Sequence, residues 1–332
     1  MNMLGIFERG LQRDRARRVE VGEPLSGSLD AIWQDESRRR LVACRKKSVQ
    51  GVPAEGDVPA AFVLGAKDSE MILIASLLHA AEAHVGVATR RGKRVYPGNA
   101  YRADPPAAPL LAGVTVYAVE CGWAGEGANV VHIDHHRPGD AGYGRPPREY
   151  FSAASIGQVL AVLERDLTDA GRASDWRVLQ QRFGAEARLV AAADHCLGAA
   201  YRGACPGVDP QELMAWCVRG RAVFEHRAET EVEADVQAAC HVIRERAVDG
   251  LADLRTLPGG TVPEAPQAAC RCGIAVLTRV VDREGREKIG LLGATAAQVE
   301  RFLAGRLVPG LAGCYGDPAR GFAGGYVVPG KT

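Results

Sequence analysis

Short, continuous apolar runs, each bounded by glycine or by ionisable residues, constrain the fold of this chain more than any other feature. They occupy residues 60–65, 85–89, 114–119 and 128–133. Runs of this length without apolar–polar alternation are typical of strands buried on both faces of a parallel sheet. Segments of helical composition separate or follow them, at 68–82, 153–169, 174–183, 185–200, 210–218 and 228–246. We therefore predict an α/β fold, with an open, mainly parallel sheet and covering helices.

The pattern changes after a stretch rich in proline and glycine, residues 257–266. Residues 273–281 and 288–292 predict two strands joined by a turn, and residues 295–307 predict a helix that begins at Thr295 as its N-cap. This layout indicates a smaller α+β domain at the C-terminal end. The predicted organisation is a peripheral N-terminal extension at 1–58, an α/β domain at 59–255 and a small substrate-binding domain at 267–332.

The composition restricts the classes of function. The 41 basic and 40 acidic residues give a net charge of +1, so long nucleic acid is not an expected partner. No apolar run approaches the roughly 20 residues that cross a bilayer, and no membrane partner is expected. Nine cysteines without small-domain spacing indicate reduced thiols. We predict a cytoplasmic protein with a small substrate, and the sequence leaves a homodimer open.

Ionisable side chains follow three of the predicted strands at the point where each strand ends. They are Asp68 and Glu70 after the first strand, Glu120 after the third, and Asp134, His135 and His136 after the fourth. Because the carboxyl ends of parallel strands share one edge of a sheet, these groups are expected to converge. Metal ions normally hold such clusters together, and paired ions suit phosphoester hydrolysis. In the alternative interpretation, Asp134 caps a following turn and the two histidines lie on the surface.

The segment 133–136, Ile-Asp-His-His, precedes a short loop and then Ser-Ala-Ala-Ser at 152–155, which opens a predicted helix. This arrangement resembles the signature of the DHH phosphoesterase superfamily. The resemblance covers roughly residues 60–210, and more loosely residues 270–328, which are similar in layout to the DHHA1-like domain of that family. It implies hydrolysis of a small phosphoester, such as a short oligonucleotide or a nucleotide-derived compound. It also implies a site for two manganese ions, and for this chain we expect one or two divalent ions, with Mn²⁺ first and Mg²⁺ or another metal as alternatives.

Carried over residue by residue, the resemblance implies a role for each matching position. The implied metal ligands are Asp68, Glu70, Glu120, Asp134, His135 and Asp194. The implied catalytic residues are Asp134, His135 and His136, and the implied substrate-binding residues are His136, Arg320, Gly324 and Gly325. The chain departs from the family where Glu70 and Glu120 replace aspartates and where Gly65 stands near the position of a histidine. His132 or His195 could compensate for that histidine.

Two functions of different classes follow from these residues. The first is a metal-dependent phosphoester hydrolase. The second, favoured by the missing histidine, is a catalytically degenerate DHH-like protein that binds a nucleotide or a protein partner. A third hypothesis, a thiol enzyme that uses Cys121 or Cys196, predicts activity that survives chelation but not alkylation.

Overall fold

The structure is a computed structural model that describes residues 60–106, 114–282 and 284–328. The N-terminal extension predicted at residues 1–58 lies outside the described residues.

A parallel sheet forms the centre of the first part of the chain. The strands before residue 134 are β1 (Ala60–Leu64), β2 (His84–Val87), β3 (Thr89–Arg90), β4 (Lys93–Arg94), β5 (Thr115–Val119) and β6 (Val130–Ile133). Among the described residues, four of them form one sheet in the order β2-β1-β5-β6, with every pair parallel, while β3 and β4 form a separate antiparallel pair. Leu64 pairs with Val119, and Val119 pairs with Ile133. Because these three strands end level, the residues that follow them leave the sheet at one edge.

Helices cover one face of this sheet. The helices are α1 (Ser69–Ala80), α2 (Tyr150–Ala153), α3 (Ser155–Asp169), α4 (Ala173–Tyr201), α5 (Pro210–Glu225), α6 (Glu229–Arg246), α7 (Ala265–Cys272) and α8 (Ala296–Leu303). Phe62 and Leu64 pack with residues of α1, α3 and α4, whereas Ala61 and Val63 pack against loop residues on the opposite face. Alternation along the strand therefore produces two separate cores, and the predicted α/β fold is confirmed. None of the described helices has the length and apolar character needed to cross a membrane.

Helix α4 differs from the sequence prediction, which placed two helices at 174–183 and 185–200. The chain continues through Gly184 as one helix, because a single glycine weakens a helix by only about 1 kcal/mol and removes no hydrogen bond. The irregularity occurs instead at Cys196, whose φ of −155° and ψ of 52° are not helical. Helix α4 is therefore kinked immediately after Asp194 and His195.

The C-terminal part is a second, largely antiparallel sheet. Its strands are β7 (Ala247–Val248), β8 (Leu251–Asp253), β9 (Ala275–Val281), β10 (Glu287–Leu292), β11 (Leu311–Asp317) and β12 (Phe322–Val327). Within the described residues their order is β11-β12-β10-β9-β8-β7. Ile289, Leu291 and Ala323 pack against Val299 and Phe302 of α8. The predicted pair of strands and the helix behind them are present as β9, β10 and α8.

The second sheet begins before residue 255, where the sequence placed the end of the first domain. Strands β7 and β8 form a hairpin across Asp249 and Gly250, whose φ values are 50° and 75°. An Asp-Gly pair with positive φ at both positions is a strong hairpin signal, and the sequence prediction did not use it. Helix α6 packs with this sheet, since Val236 and Ile243 share a core with Ala252.

Contacts from the first part of the chain hold the β11–β12 end of the second sheet. Tyr143 Oη donates a hydrogen bond of 2.9 Å to Gly316 O, and Gly144 N donates one of 3.1 Å to the carboxylate of Asp317. Tyr143 and Gly144 belong to the loop that follows the Asp-His-His segment. The turn between β11 and β12 is therefore fixed beside the carboxyl edge of the parallel sheet.

Candidate metal centre

The ends of three parallel strands approach each other closely at this edge. Gly65 N donates to Val119 O at 2.9 Å, and Glu120 N donates to Ile133 O at 3.0 Å. A Cβ atom on residue 65 would overlap Glu120 O and lie 2.9 Å from Val119 O, so only glycine fits there. This close approach explains physically why no histidine side chain occupies position 65.

Glu120 has a backbone conformation that is uncommon for its residue type. Its φ is 50°, in the left-handed region, where a non-glycine residue carries strain on the order of 1–3 kcal/mol. The strained turn directs the carboxylate into the protein, where Glu120 is 4% exposed. Strain of this kind is concentrated at functional sites, where the surrounding structure enforces it.

Four side chains converge as potential metal ligands. Glu120, His135, His136 and Asp194 each offer one ligand atom, and these atoms all lie within 4.8 Å of one another. His135 Nε2 is 2.9 Å from Asp194 Oδ2 and 3.6 Å from Glu120 Oε1. Glu70 lies beside the group, with Oε2 at 3.8 Å from His135 Nε2. Strands β5 and β6, helix α1 and helix α4 each supply part of this cluster.

Three atoms at the centre of the cluster are buried and unsatisfied. Among the described residues, Glu70 Oε2, Glu120 Oε1 and His135 Nε2 have no hydrogen-bond partner. His135 Nε2 lies 3.6 Å from Glu120 Oε1 and 3.8 Å from Glu70 Oε2, which is beyond hydrogen-bonding distance. Buried polar atoms are nearly always paired, so converging lone pairs without mutual hydrogen bonds are what a metal-binding group presents. A buried group of Glu, His, His and Asp could therefore bind a metal ion.

The pKa values of the cluster reflect the concentration of negative charge. Burial, together with the carboxylates of Asp194 and Glu120, raises the pKa of Glu70 well above its usual value. Burial lowers the pKa of His135, but its carboxylate neighbours outweigh that effect and raise it overall. Burial opposes the ionisation of Asp194, yet His135 and Arg320 hold the pKa of Asp194 far below its usual range. Without a cation, the cluster must therefore retain protons that a metal ion would displace.

Asp134 organises the loop rather than joining the donor group. Its Oδ1 accepts hydrogen bonds from His135 N at 2.7 Å, from His136 N at 3.0 Å and from His136 Nδ1 at 2.9 Å. Its Oδ2 accepts one of 2.8 Å from Tyr101 Oη. The carboxylate thus holds the turn, as the alternative interpretation expected. The histidines do not lie on the surface as that interpretation also expected, because His135 is 0% exposed and the His136 side chain is 15% exposed.

Asp134 also determines which nitrogen of His136 is free. Since an ionised carboxylate can only accept, His136 Nδ1 carries the hydrogen and its lone pair is on Nε2. A carboxylate behind a histidine is a common arrangement in metal sites, where it fixes the orientation of the ring. The family resemblance assigned Asp134 to the metal, whereas in the structure it lies behind His136.

Asp68 and Glu70, predicted as a ligand pair, have separate positions. Asp68 is the N-cap of α1, and its Oδ1 accepts a hydrogen bond of 2.7 Å from Met71 N. Glu70 Oε1 accepts one of 2.8 Å from Ile156 N in the first turn of α3, which leaves Oε2 directed at His135. Glu70 therefore belongs to the cluster, and Asp68 positions the helix that carries it.

His195 and His132 do not replace the missing histidine. His195 lies behind His135, with 3.0 Å between their Nδ1 atoms, on the side of the ring opposite the carboxylates. His132 pairs instead with Glu126, at 2.8 Å from Nε2 to Oε2. Neither side chain is part of the donor group, although His195 contacts one of its members.

Arg320 binds the framework of the site. Its side chain is 3% exposed and donates four hydrogen bonds from the β11–β12 turn. The acceptors are His135 O at 3.2 Å, His195 O at 3.1 Å, Asp194 O at 2.8 Å and Asp194 Oδ2 at 3.2 Å. Sequence reasoning expected this guanidinium on a substrate phosphate, whereas the structure uses it to join β11–β12 to β6 and α4.

Gly324 and Gly325, predicted to contact substrate, are buried in strand β12. They pair with Gly290 and Ile289 of β10. A Cβ on residue 324 would lie 2.6 Å from Tyr315 Oη, so the glycine makes room for that aromatic side chain. The glycine-rich segment is therefore part of a strand and not an anion-binding loop in this structure.

Comparisons of the chain with protein-family models, with curated proteins and with solved structures found no match. The chemistry of the donor atoms is then the guide to function. Two imidazoles and two carboxylates suit divalent transition metals such as Mn²⁺, Fe²⁺, Co²⁺ or Zn²⁺, and they do not single out one of them.

Arg137 and Gly142 are parts of the site that the sequence analysis did not assign, and both lie close to residues that organise it. Tyr101 binds Asp134, and the Arg137 guanidinium stacks on the Tyr101 ring at 3.6 Å from its centroid. A Cβ on residue 142 would overlap Ala153 O, so Gly142 lets the loop lie against helix α2. A glycine between two charged segments carries no functional signal in a single sequence, and the contacts of Tyr101 depend on the tertiary fold.

The two thiols considered as nucleophiles are poorly placed for that role. Burial raises the pKa of Cys121, whose Sγ donates to Val63 O at 3.3 Å. A contact with Cys205 and burial raise the pKa of Cys196. A reactive cysteine needs a stabilised thiolate and access to substrate, and both residues are buried.

Proposed function

We propose that this protein is a metal-dependent hydrolase of small phosphoesters. The observation that carries the proposal is the convergence of Glu120, His135, His136 and Asp194 at the carboxyl edge of a parallel sheet. Ligands and reacting groups bind at this edge in open α/β sheets. Glu70, whose Oε2 is unsatisfied and faces His135, would complete the set.

The donor group favours one tightly held divalent ion. Asp134 and Asp68, which a second ion would need, are occupied by their own loop and helix. A bound ion supplies Lewis-acid chemistry, because it acidifies water and offsets negative charge on phosphoryl oxygens. Mn²⁺ remains our first expectation for its identity.

Residues of the chain would orient the substrate beside the ion. Of the two histidines in the cluster, His136 is the more exposed, and Arg137 follows it directly in the sequence. Arg137 and the Tyr101 ring on which it stacks offer a cation and an aromatic surface next to Asp134. A cation and an aromatic ring side by side suit a substrate in which a phosphate is joined to a nucleoside. A short oligonucleotide or a nucleotide-derived compound is therefore the proposed substrate class.

A second function is supported by a specific observation. Because the donor group provides for one ion and Arg320 is fully engaged, the chain lacks part of what the family resemblance implies. A catalytically degenerate protein that binds a nucleotide or a partner would retain the ion and lack turnover. The two proposals make different predictions for activity and the same prediction for metal.

The decisive experiment measures metal and turnover in the same preparations. Wild type, His135→Ala and the control His132→Ala are each analysed for bound metal and for hydrolysis of bis(p-nitrophenyl) phosphate, with and without Mn²⁺. We expect wild type and the control to bind metal and to turn over, and His135→Ala to do neither. Metal without turnover would favour the binding protein, and absence of both from wild type would overturn the hydrolase.

A further inference from the structure

We propose that His195 is a positioning residue, which holds His135 in the one tautomer that can bind a metal ion through Nε2. The inference deepens the proposed function and rests on the metal site assigned there. His195 would touch neither metal nor substrate and would act only through His135.

The direction of the hydrogen bonds begins at a carbonyl group. His195 Nε2 lies 3.0 Å from Arg145 O, which can only accept, so Nε2 carries the hydrogen. A neutral imidazole has one N–H, so the Nδ1 atom of His195 carries a lone pair and can only accept. His195 is 0% exposed and its carbonyl oxygen accepts from the Arg320 guanidinium at 3.1 Å, an environment that disfavours a positive charge on the ring.

The lone pair of His195 then determines the tautomer of His135. The two Nδ1 atoms are 3.0 Å apart, and one of them must donate. Because His195 Nδ1 accepts, His135 Nδ1 is the donor, and neutral His135 has its lone pair on Nε2. That nitrogen faces the carboxylates, at 2.9 Å from Asp194 Oδ2.

A lone pair that faces carboxylate oxygens is repelled by them unless a cation lies between. In the metal-free protein a proton on Nε2 can serve as that positive charge, and a divalent ion can replace the proton. In both states the Nδ1–H of His135 points at His195. The contact therefore excludes the opposite neutral tautomer, in which an N–H on Nε2 would block the metal.

Adjacent residues of helix α4 contact the two nitrogens of the His135 ring. Asp194 approaches Nε2 of His135 while His195 approaches Nδ1. The His135 and His195 rings stack, with centroids 5.3 Å apart and planes inclined by 17°. Both histidines are 0% exposed, so water has no access to substitute for either contact.

The test compares two substitutions at residue 195. His195→Phe keeps a ring of similar size and removes the acceptor, whereas His195→Asn can present Oδ1 to His135 Nδ1–H. Outer hydrogen-bond partners of metal-ligating histidines typically contribute about 10- to 100-fold to metal affinity. We expect Mn²⁺ affinity, measured from the electron paramagnetic resonance signal of free Mn²⁺, to fall by that factor in His195→Phe and to be largely restored in His195→Asn. His132→Phe is the matched control and should bind as wild type does.

A second measurement reads the tautomer directly and needs no variant. Long-range ¹H–¹⁵N spectra of the ¹⁵N-histidine-labelled wild-type protein, at a pH where His135 is neutral, should show its hydrogen on Nδ1. A hydrogen on Nε2 would overturn the proposal even if the variants do not fold.

The outcomes separate this inference from the proposed function. If wild type binds Mn²⁺ and His195→Phe binds it equally well, His195 has no positioning role and the metal site stands. If wild type binds no metal, the proposed function fails, and the spectra still decide whether neutral His135 carries its hydrogen on Nδ1, as this inference requires.

Discussion

Substitution of Arg320 distinguishes a framework role from a substrate-binding role. Arg320→Ala would remove all four hydrogen bonds of the guanidinium at once, three of them to backbone carbonyls and one to a carboxylate. Each buried acceptor left without a partner costs about 1–3 kcal/mol, and water that enters the cavity would recover part of this. Loss of one partner of a buried ion pair is typically worth about 3–5 kcal/mol, and Arg320 is 3% exposed beside Asp194. We therefore expect the free energy of unfolding to fall by about 3–5 kcal/mol.

The assay is urea-induced unfolding of the metal-free protein, followed by circular dichroism and by tryptophan fluorescence. Coincident transitions by the two probes would justify a two-state free energy. Arg320→Lys should lose more than half as much stability as Arg320→Ala, because an ammonium group cannot reach acceptors on both β6 and α4. Arg286→Ala is the control, since that side chain is 45% exposed and should leave the midpoint unchanged. A loss below about 1 kcal/mol in Arg320→Ala, accompanied by a large rise in KM, would refute the framework role.

Three further predictions follow from the same cluster. The affinity for Mn²⁺, measured by calorimetry, should fall as the pH is lowered from 8 to 6, because the raised pKa values of His135 and Glu70 mean that bound protons compete with metal; a pH-independent affinity would contradict this. The raised pKa of Glu70 contributes stability that is present below the pKa of the unfolded state and is lost as the pH rises through the pKa of the folded state. Glu70→Gln should therefore stabilise the metal-free protein at pH 8 by about 1–3 kcal/mol while weakening metal binding. Thermal melts with and without Mn²⁺ would show both effects. Gly65→Ala should lose about 1–3 kcal/mol of stability and should weaken metal binding, because the added Cβ would displace Glu120. The control is Gly220→Ala, whose added Cβ meets open space within α5 and which should melt at or above the wild-type temperature.

The convergence of the site could be predicted because it depends on the strands. Apolar runs locate β1, β5 and β6, and the parallel arrangement brings their carboxyl ends to one edge. This argument placed Glu70, Glu120 and His135 in one cluster, the family resemblance added Asp194, and the structure brings these side chains together. The sequence could predict this proximity of residues distant along the chain because the fold class determines where the strands end.

The role of each carboxylate could not be predicted in the same way. Asp134 lies in the sequence where a ligand would lie, but it is also adjacent to the N–H groups of its own turn, and these are what it binds. A short carboxylate near free backbone donors satisfies them first. Spacing therefore identifies a candidate ligand and does not show whether a local hydrogen bond already occupies it.

Glycine-rich strands were missed for a different reason. Residues 322–327 contain Gly324 and Gly325 and have no alternation of apolar and polar side chains, so their pattern favours a loop. The strand forms because neighbouring residues occupy the space above the glycines, with Tyr315 on one face and Leu311 on the other. This complementarity is tertiary and has no signature along the chain.

The energy of the cluster bears on whether a metal is needed at all. Three buried atoms, on Glu70, Glu120 and His135, lack hydrogen-bond partners among the described residues, and each costs about 1–3 kcal/mol in that state. Their sum is a large fraction of the 5–15 kcal/mol by which a domain is typically stable, and the strained backbone of Glu120 adds to it. In the metal-free protein, protons held by Glu70 and His135 relieve part of this cost. A divalent ion held by Glu120 and His135 would satisfy two of these atoms, so we expect added metal to stabilise the protein whether or not turnover is found.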